Sequence, residues 1–435
     1  MVQGAHQGRQ RIAVIGGGIS GLASAYLLAR RHEVVLFEAA PTLGGHANTV
    51  DIAPEGRPFP VDTGFLVFND RTYPYLIALF DELKVESYAT DMSFGVSMEH
   101  GEFEWAGTNL DTVFAQRRHL ASPAFLGMLR DILRFNRAAE GNLTACRQHP
   151  VTLRKLLAAG SYGAMFRDAY LLPMAAAIWS SAPSDILDFP AATFLRFCLN
   201  HGLLQITDRP RWRTVRGGSR EYVNKIAARL PDVRLNSRLA AVHRTESGVL
   251  LRSAGEQPEE RFDAVVFATH APQTLALLQD ATMDEQRVLS AVRYQANIAW
   301  LHTDTALMPQ RRKVWSAWNY LGMRGADGHN GVCVSYWLNR LQDLPCKTDV
   351  MVTLNPPFAP NAARTLARYE YEHPILDQAA IDAQLALPSI QGRHRAWFAG
   401  AWTGYGFHED GLRSALRVAA DFNVAPDWAR LGAPG

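Results

Sequence analysis

The run Arg11-Ile12-Ala13-Val14-Ile15-Gly16-Gly17-Gly18-Ile19-Ser20-Gly21 sets a short, β-branched apolar segment directly against three glycines. A helical pattern follows from Ser20 to Arg31, carrying Leu22, Ala23, Ala25, Tyr26, Leu27 and Leu28. A second apolar run, Val34 to Phe37, ends in Glu38. Strand, tight turn, helix and strand within about 30 residues is the pattern of a dinucleotide-binding βαβ unit. Each glycine of the GxGxxG spacing has a physical reason. Gly16 permits the tight turn off the strand, Gly18 lets main-chain N–H groups approach a diphosphate, and Gly21 lets the helix pack close to the strand. The diphosphate then faces a helix N-terminus, where unpaired N–H groups and about half a positive charge meet it. Ile19 and Ser20, at the helix start, are expected to join this contact. Glu38 is spaced to accept hydrogen bonds from a ribose diol, with Ala39 beside it, and its charge would repel a 2′-phosphate.

A second glycine pair comes just downstream, in Leu43-Gly44-Gly45-His46. This pair resembles the extended FAD fingerprint of the flavin amine oxidase and phytoene desaturase superfamily, which favours FAD over NAD. In that family the pair closes over the pyrophosphate and ribityl chain, so Gly44, Gly45 and His46 are expected at the cofactor. The resemblance continues. Val61-Asp62-Thr63-Gly64 looks like the segment that approaches the flavin, which implicates Thr63 and Gly64. Val233-Arg234-Leu235-Asn236-Ser237-Arg238-Leu239 looks like the strand pair that lies against the adenine, at Leu239. Asp263 to Thr269 matches the returning strand that ends in Ala268-Thr269 near the cofactor. Trp397-Phe398-Ala399-Gly400, followed by Gly406-Phe407-His408-Glu409-Asp410-Gly411-Leu412, looks like the C-terminal FAD motif. There a turn and a helix N-terminus meet the flavin pyrimidine edge, so Gly400, Phe407, Gly411 and Leu412 are carried over. A helix dipole aimed at that edge stabilises the negative charge of a reduced flavin.

The resemblance implies an FAD-dependent oxidoreductase that removes hydride from a C–H bond. Two departures weigh against amine oxidation. The strand Tyr294-Gln295-Ala296-Asn297-Ile298-Ala299-Trp300 carries no lysine, and Phe407 stands where a second tyrosine of an aromatic cage is usual. The Gly-Phe-His-Glu-Asp-Gly run, with Ala401 to Tyr405 before it, is most similar to a bacterial group of NAD/FAD-binding proteins associated with cyclopropane-fatty-acid synthase relatives. That likeness implies an apolar, fatty-acyl or other lipid substrate. An amine oxidase that releases peroxide is one alternative. A flavin-binding partner of a lipid-modifying methyltransferase, without turnover of its own, is another. His408 and Glu409 are the first candidates for proton handling, because a histidine there titrates near neutral pH. His408 serving only as a main-chain hydrogen-bond partner is an equal reading. Only one GxGxxG is present, so oxygen or an unidentified carrier is the expected electron acceptor.

The remaining features bound the partners. The chain has 435 residues, 48% of them hydrophobic, and a net charge of +2 from 44 basic and 42 acidic residues. That balance gives no reason to expect nucleic acid. Cys146, Cys198, Cys333 and Cys346 are scattered without a CxxC pair, and with His201 they show no ligand spacing, so reduced thiols and no metal are expected. The first ten residues are polar and no apolar run is long enough to span a bilayer, which fits a soluble cytoplasmic protein. Phe125, Met128, Leu129, Ile132 and Leu133 alternate with Arg130, Arg134 and Arg137 at helical spacing. Such a helix suits either the inner membrane face or an ordinary core. Trp315, Trp318, Tyr320, Tyr336 and Trp337 are candidates to line an apolar pocket. Arg216-Gly217-Gly218-Ser219-Arg220 reads as a phosphate contact or as a plain loop.

The expected architecture is α/β. A discontinuous Rossmann-like FAD domain comprises 1–72, 210–285 and 386–435. A mixed α+β substrate domain is inserted as a helical part, 73–209, and a sheet part, 286–385, with a helix predicted over 125–137, a hairpin of Phe94–Met98 and Phe103–Trp105 about Glu99-His100-Gly101, and strands over 314–318 and 332–338.

Overall fold

The computed structural model describes residues 8–179, 183–205, 207–255, 258–322 and 333–430. β1 (Arg11–Ile15), α1 (Ile19–Leu28) and β2 (Glu33–Phe37) stand where the sequence places them. They seed a five-stranded parallel sheet in the order Asp232–Arg234, β2, β1, Ala264–Phe267, Ala396–Phe398. Ala13 lies opposite Val35 on one side and Val265 on the other.

Both faces of this sheet are covered, which is why its strands read as unbroken apolar runs. Ile12, Val14, Val34 and Leu36 pack under α1 and the helices Pro74–Leu83, Arg220–Ala227 and His408–Asp421. Ala13, Ile15, Val35 and Phe37 face the opposite way. There they meet a three-stranded meander (Leu239–Thr245, Gly248–Ser253, Glu260–Phe262) and the helices Ala271–Leu277, Met283–Ser290 and Gln378–Ala386. Leu22 and Leu27 of α1 are wholly buried, each contributing about 1.5–3 kcal/mol.

A second sheet has seven strands in the order Thr365–Pro374, Tyr294–His302, Met351–Leu354, Cys333–Trp337, Trp318–Gly322, Phe94–Met98, Phe103–Ala106. The hairpin expected around Glu99-His100-Gly101 is present, and it extends this sheet by pairing Phe94–Met98 in parallel with Trp318–Gly322. The sheet therefore draws strands from both parts of the inserted region. Its inner face packs on helices that include Pro123–Gln148, Leu172–Trp179 and Ala191–Asn200. The chain is thus α/β, with a Rossmann-like sheet assembled from separated segments and a mixed α+β region inserted.

Two elements differ from the sequence reading. The helix expected over 125–137 runs from Pro123 to Gln148, because Ser122 caps it by accepting from Phe125 N at 3.3 Å and Pro123 suits its first turn. The strand expected over 314–318 begins only at Trp318. Arg312–Val314 is a helical turn instead, held by Trp315 Nε1 donating to the Pro309 carbonyl (2.6 Å) and Ser316 N donating to Asn319 Oδ1 (2.8 Å). Val332, expected to open the next strand, lies outside the described residues. No helix among the described residues is long and apolar enough to cross a membrane.

Candidate active site

A cavity of about 880 Å³ runs from the end of β1 into the space between the two sheets. At its first end the surface is main chain. Gly16 leaves β1 at φ +104°, and its N–H donates to the Phe37 carbonyl at 2.8 Å. A Cβ on Gly16 would sit 2.7 Å from the Ala268 carbonyl oxygen, and one on Gly21 only 1.7 Å from the Gly16 oxygen. Those two glycines therefore seat α1 against the sheet. Gly18 is different: it lines the cavity, and a Cβ there would meet no protein atom within 4 Å.

The second glycine pair docks onto the first. Gly44 N–H donates to the Gly17 carbonyl at 2.8 Å, and a Cβ on Gly45 would come within 3.3 Å of Gly18 Cα. α1 has no side-chain cap and no acidic residue in its first turn, so its leading N–H groups stay available to an anion. Glu38 accepts from Gly17 N (2.6 Å) and Ala40 N (2.7 Å), which aims its carboxylate at the same turn. Ile19, Ser20, Ala39, Leu239, Ala268 and Thr269 line this end as well. A side-chain-free cradle, an uncapped helix and a carboxylate at diol distance along the chain together fit FAD. Gly21 supplies packing, not lining.

In the middle of the cavity Thr63 and Gly64 meet the C-terminal motif. Thr63 Oγ1 shares a hydrogen with Tyr371 OH at 2.8 Å, and Asn48 Nδ2 donates to both oxygens at 3.0 Å. Gly400 and Phe407 line the wall here. Gly411 and Leu412 do not. A Cβ on Gly411 would lie 2.8 Å from Ser20 Oγ, so this glycine lets the last helix cross close over α1, and Leu412 is fully buried between them.

The two residues expected to handle protons are placed otherwise. His408 lines the cavity, but its ring stacks on Phe65 (3.7 Å between centroids) and its Nε2 is 3.0 Å from Tyr222 OH. Burial pushes its imidazole down to about 3, so it is neutral, not titrating, near pH 7. Glu409 turns away from the cavity. Its carboxylate accepts from Tyr75 N and Leu76 N, both at 2.9 Å, and so caps the helix Pro74–Leu83 across the interface. Burial raises it to about 7 despite those donors. Proton handling by Glu409 does not fit that position.

Arg216–Arg220 is structural. Arg220 forms a two-bond ion pair with Asp51 (2.7 and 2.8 Å), and Ser219 N and Oγ both donate to buried Asp62. Among the described residues no cluster of His, Cys, Asp or Glu is arranged to hold a metal ion.

The far end, between the sheets, is walled by side chains: Met92, Ile178, Trp179, Phe197, Leu203, Trp318, Tyr336, Leu354 and Tyr405. Of the five aromatics singled out in the sequence, Trp318 and Tyr336 are here. Trp315 and Trp337 instead pack edge-to-face with each other under Arg312, and Tyr320 belongs to the core. Tyr73 and His201 also line the cavity. His201 Nδ1 is 3.0 Å from the Phe197 carbonyl, and burial lowers its imidazole to about 4 while raising the Tyr73 phenol, so both are neutral. No motif flagged Tyr73, His201, Tyr371 or His373, since their meeting depends on pairings distant in sequence.

Comparison with known proteins accords with this geometry. The family described as flavin containing amine oxidoreductase matches residues 19–423. A CLA-producing fatty acid isomerase from P. acnes superposes on 95% of this chain and 98% of its own, with a TM-score of 0.67 at 14% identity. A putrescine oxidase variant redesigned in its cofactor binding superposes on 96% and 100%, with a TM-score of 0.68 at 16% identity. Cyclohexylamine oxidase from Brevibacterium oxydans gives 95% and 100%, 0.62 and 17%. At these identities the likeness is one of fold. The carotenoid phi-ring synthase of Chlorobaculum tepidum is 48% identical over 65 residues, which span 15% of this chain and 10% of that protein. With the family match running through nearly the whole cavity wall, the chain belongs to the flavin containing amine oxidoreductase family and is an FAD-dependent oxidoreductase.

Proposed function

We propose that this oxidoreductase acts on a C–H bond of an apolar substrate, a fatty-acyl chain or another lipid. One observation carries the reading. Among the described residues, no lysine and no carboxylate stands with the aromatic and aliphatic side chains that wall the far end of the cavity. An ammonium group entering there would leave water with no carboxylate to offset its charge, which is costly, whereas an alkyl chain would gain by burial. Bound FAD supplies a two-electron acceptor, with oxygen or a carrier completing turnover.

The chain's own part is to hold, orient and exclude water. Thr63, tied to Tyr371 and Asn48, fixes the wall where the two ends meet. Phe407 stacks against Phe197 (5.2 Å) and closes the side opposite. The neutral Tyr73 and His201 suit an uncharged polar group on the substrate. A member of this fold that isomerises a fatty acid makes an acyl substrate sterically reasonable.

Access from a membrane surface belongs to the same proposal. The helix Pro123–Gln148 exposes Leu126 and Leu133 beside Arg130, Arg134 and Arg137.

The test is anaerobic reduction of the yellow holoenzyme. Bleaching by unsaturated or methylated acyl lipids, and not by amines, is expected. Bleaching by amines with peroxide release in air would replace this proposal with an amine oxidase, and a flavin reduced by neither would point to a flavin-binding partner of a lipid-modifying enzyme.

A further inference from the structure

Three imidazoles meet on the cavity wall beside the fingerprint. His46 follows Gly45, whose added Cβ would touch Gly18 Cα. His270 follows Thr269, whose Cγ2 lies 3.2 Å from an added Cβ on Gly16. His373 comes from the end of the strand Thr365–Pro374 in the other sheet. The His46 ring centroid is 5.2 Å from that of His373 and 6.5 Å from that of His270, and all three residues line the cavity.

Their hydrogen bonding leaves capacity for a ligand. His46 is held by the Glu372 main chain, while its Nε2 is buried without a partner. His270 Nδ1 pairs with Glu372 Oε2 at 2.9 Å, and the ring stacks on Tyr294. His373 Nδ1 is engaged by Asn297 Nδ2 at 2.9 Å. The other groups facing the cluster are Tyr371, against the His46 ring, and neutral His408. Among the described residues Glu372 is thus its one carboxylate.

Permanent positive charge is scarce around the cradle that would receive the diphosphate. Among the described residues no lysine lines the cavity, and Arg238, exposed beside Leu239 at the adenine end, is the one arginine that does. The helix N-terminus supplies only about half a charge. We infer that His46, His270 and His373 act together as a proton-accepting subsite for the cofactor's diphosphate, so that FAD is bound with uptake of a proton shared among the three rings.

Burial holds all three imidazoles below their ordinary range when no anion is present, against the pull of Glu372 at His270 and helped by neighbouring imidazoles at His46 and His373, and they are neutral near pH 7. A dianion close by favours the protonated form and reverses that shift. FAD affinity should therefore rise as pH falls, by up to about tenfold per pH unit for one proton taken up.

The measurement is FAD release from diluted holoenzyme, followed by flavin fluorescence from about pH 8 to about pH 6. Wild type should bind more tightly toward the acid side, and His46→Gln, His270→Asn and His373→Asn should each flatten that dependence. A substitution that only loosened the wall would weaken binding equally at all pH values. A flat wild-type profile, or an unchanged slope in all three variants, overturns the inference. Where a variant retains too little FAD to titrate, calorimetry of FAD rebinding to deflavinated wild type, in two buffers of different ionisation heat, gives an independent reading. Proton uptake is expected, and heats that do not depend on the buffer reject it.

Discussion

Where Gly16, Gly18 and Gly45 face the cavity, main-chain atoms make its surface; where Trp179, Phe197 and Trp318 face it, ring atoms do. The first surface tolerates almost no change. A side chain on Gly16, or on Gly21 packed behind it, collides with carbonyl oxygens that the sheet and helix cannot move, and one on Gly18 occupies space meant for the ligand. The second surface is a matter of volume and polarity, which many residue sets satisfy. One end of the site is thus fixed by sterics, and the other is free to follow its substrate.

The sharpest way to break this contrast is within the fingerprint itself. Gly21→Ala should cost upwards of about 3 kcal/mol and yield little folded protein, because the new Cβ falls 1.7 Å from the Gly16 oxygen. Gly18→Leu should fold, with an unchanged circular dichroism spectrum, yet lose its yellow colour. If Gly18→Leu retained flavin, the cradle would be misassigned.

His408→Ala should lower stability by about 2–3 kcal/mol in denaturant titration, since it removes a buried ring and leaves Tyr222 OH unpaired. The shape of the pH–rate profile near neutrality should not change, because the imidazole is already neutral there. A lost inflection near pH 7 would restore a proton-handling role.

Glu409→Gln tests a linkage. The folded carboxyl sits at about 7 against an ordinary 4.5, so the folded state binds the extra proton between those values. Its contribution to stability is complete below about pH 4.5 and is lost as pH rises toward 7, with a limiting slope of about 1.4 kcal/mol per pH unit. The glutamine variant should show a shallower fall in melting temperature across that window. Asp410, raised to about 6 by burial, keeps part of the slope.

The smallest effect belongs to Arg216→Ala. Its partner Glu86 is exposed and 3.4 Å away, so stability should change by no more than about 0.5 kcal/mol and FAD retention not at all. Flavin loss there would revive the phosphate-contact reading of this loop.

The parts legible in the sequence are those with a local cause. β1, α1 and β2 follow from apolar runs punctuated by glycine, and the 94–106 hairpin follows from alternation around Glu99-His100-Gly101. Lining by Gly400 and Phe407 is reachable from a motif because a turn enforces it. What escaped has a distant cause. The side on which Glu409 points depends on Tyr75 and Leu76, more than 330 residues away, whose N–H groups need an acceptor. Whether Trp315 continues a strand depends on the Pro309 carbonyl. The gathering of His46, His270 and His373 requires three segments that only the two sheets bring together.

The parallel sheet takes β1 from the start of the chain and Ala396–Phe398 from near its end, and the last helix lies across α1. During synthesis, then, the chain as far as Ala396–Phe398 must leave the ribosome before the nucleotide cradle can close. Until that moment Ala264–Phe267 carries an unprotected edge of the kind that aggregates, and the long sequence separation from β1 slows assembly of the sheet. Free flavin present once that last strand has emerged should raise the share of nascent protein that reaches its finished form, because the ligand binds only the closed cradle.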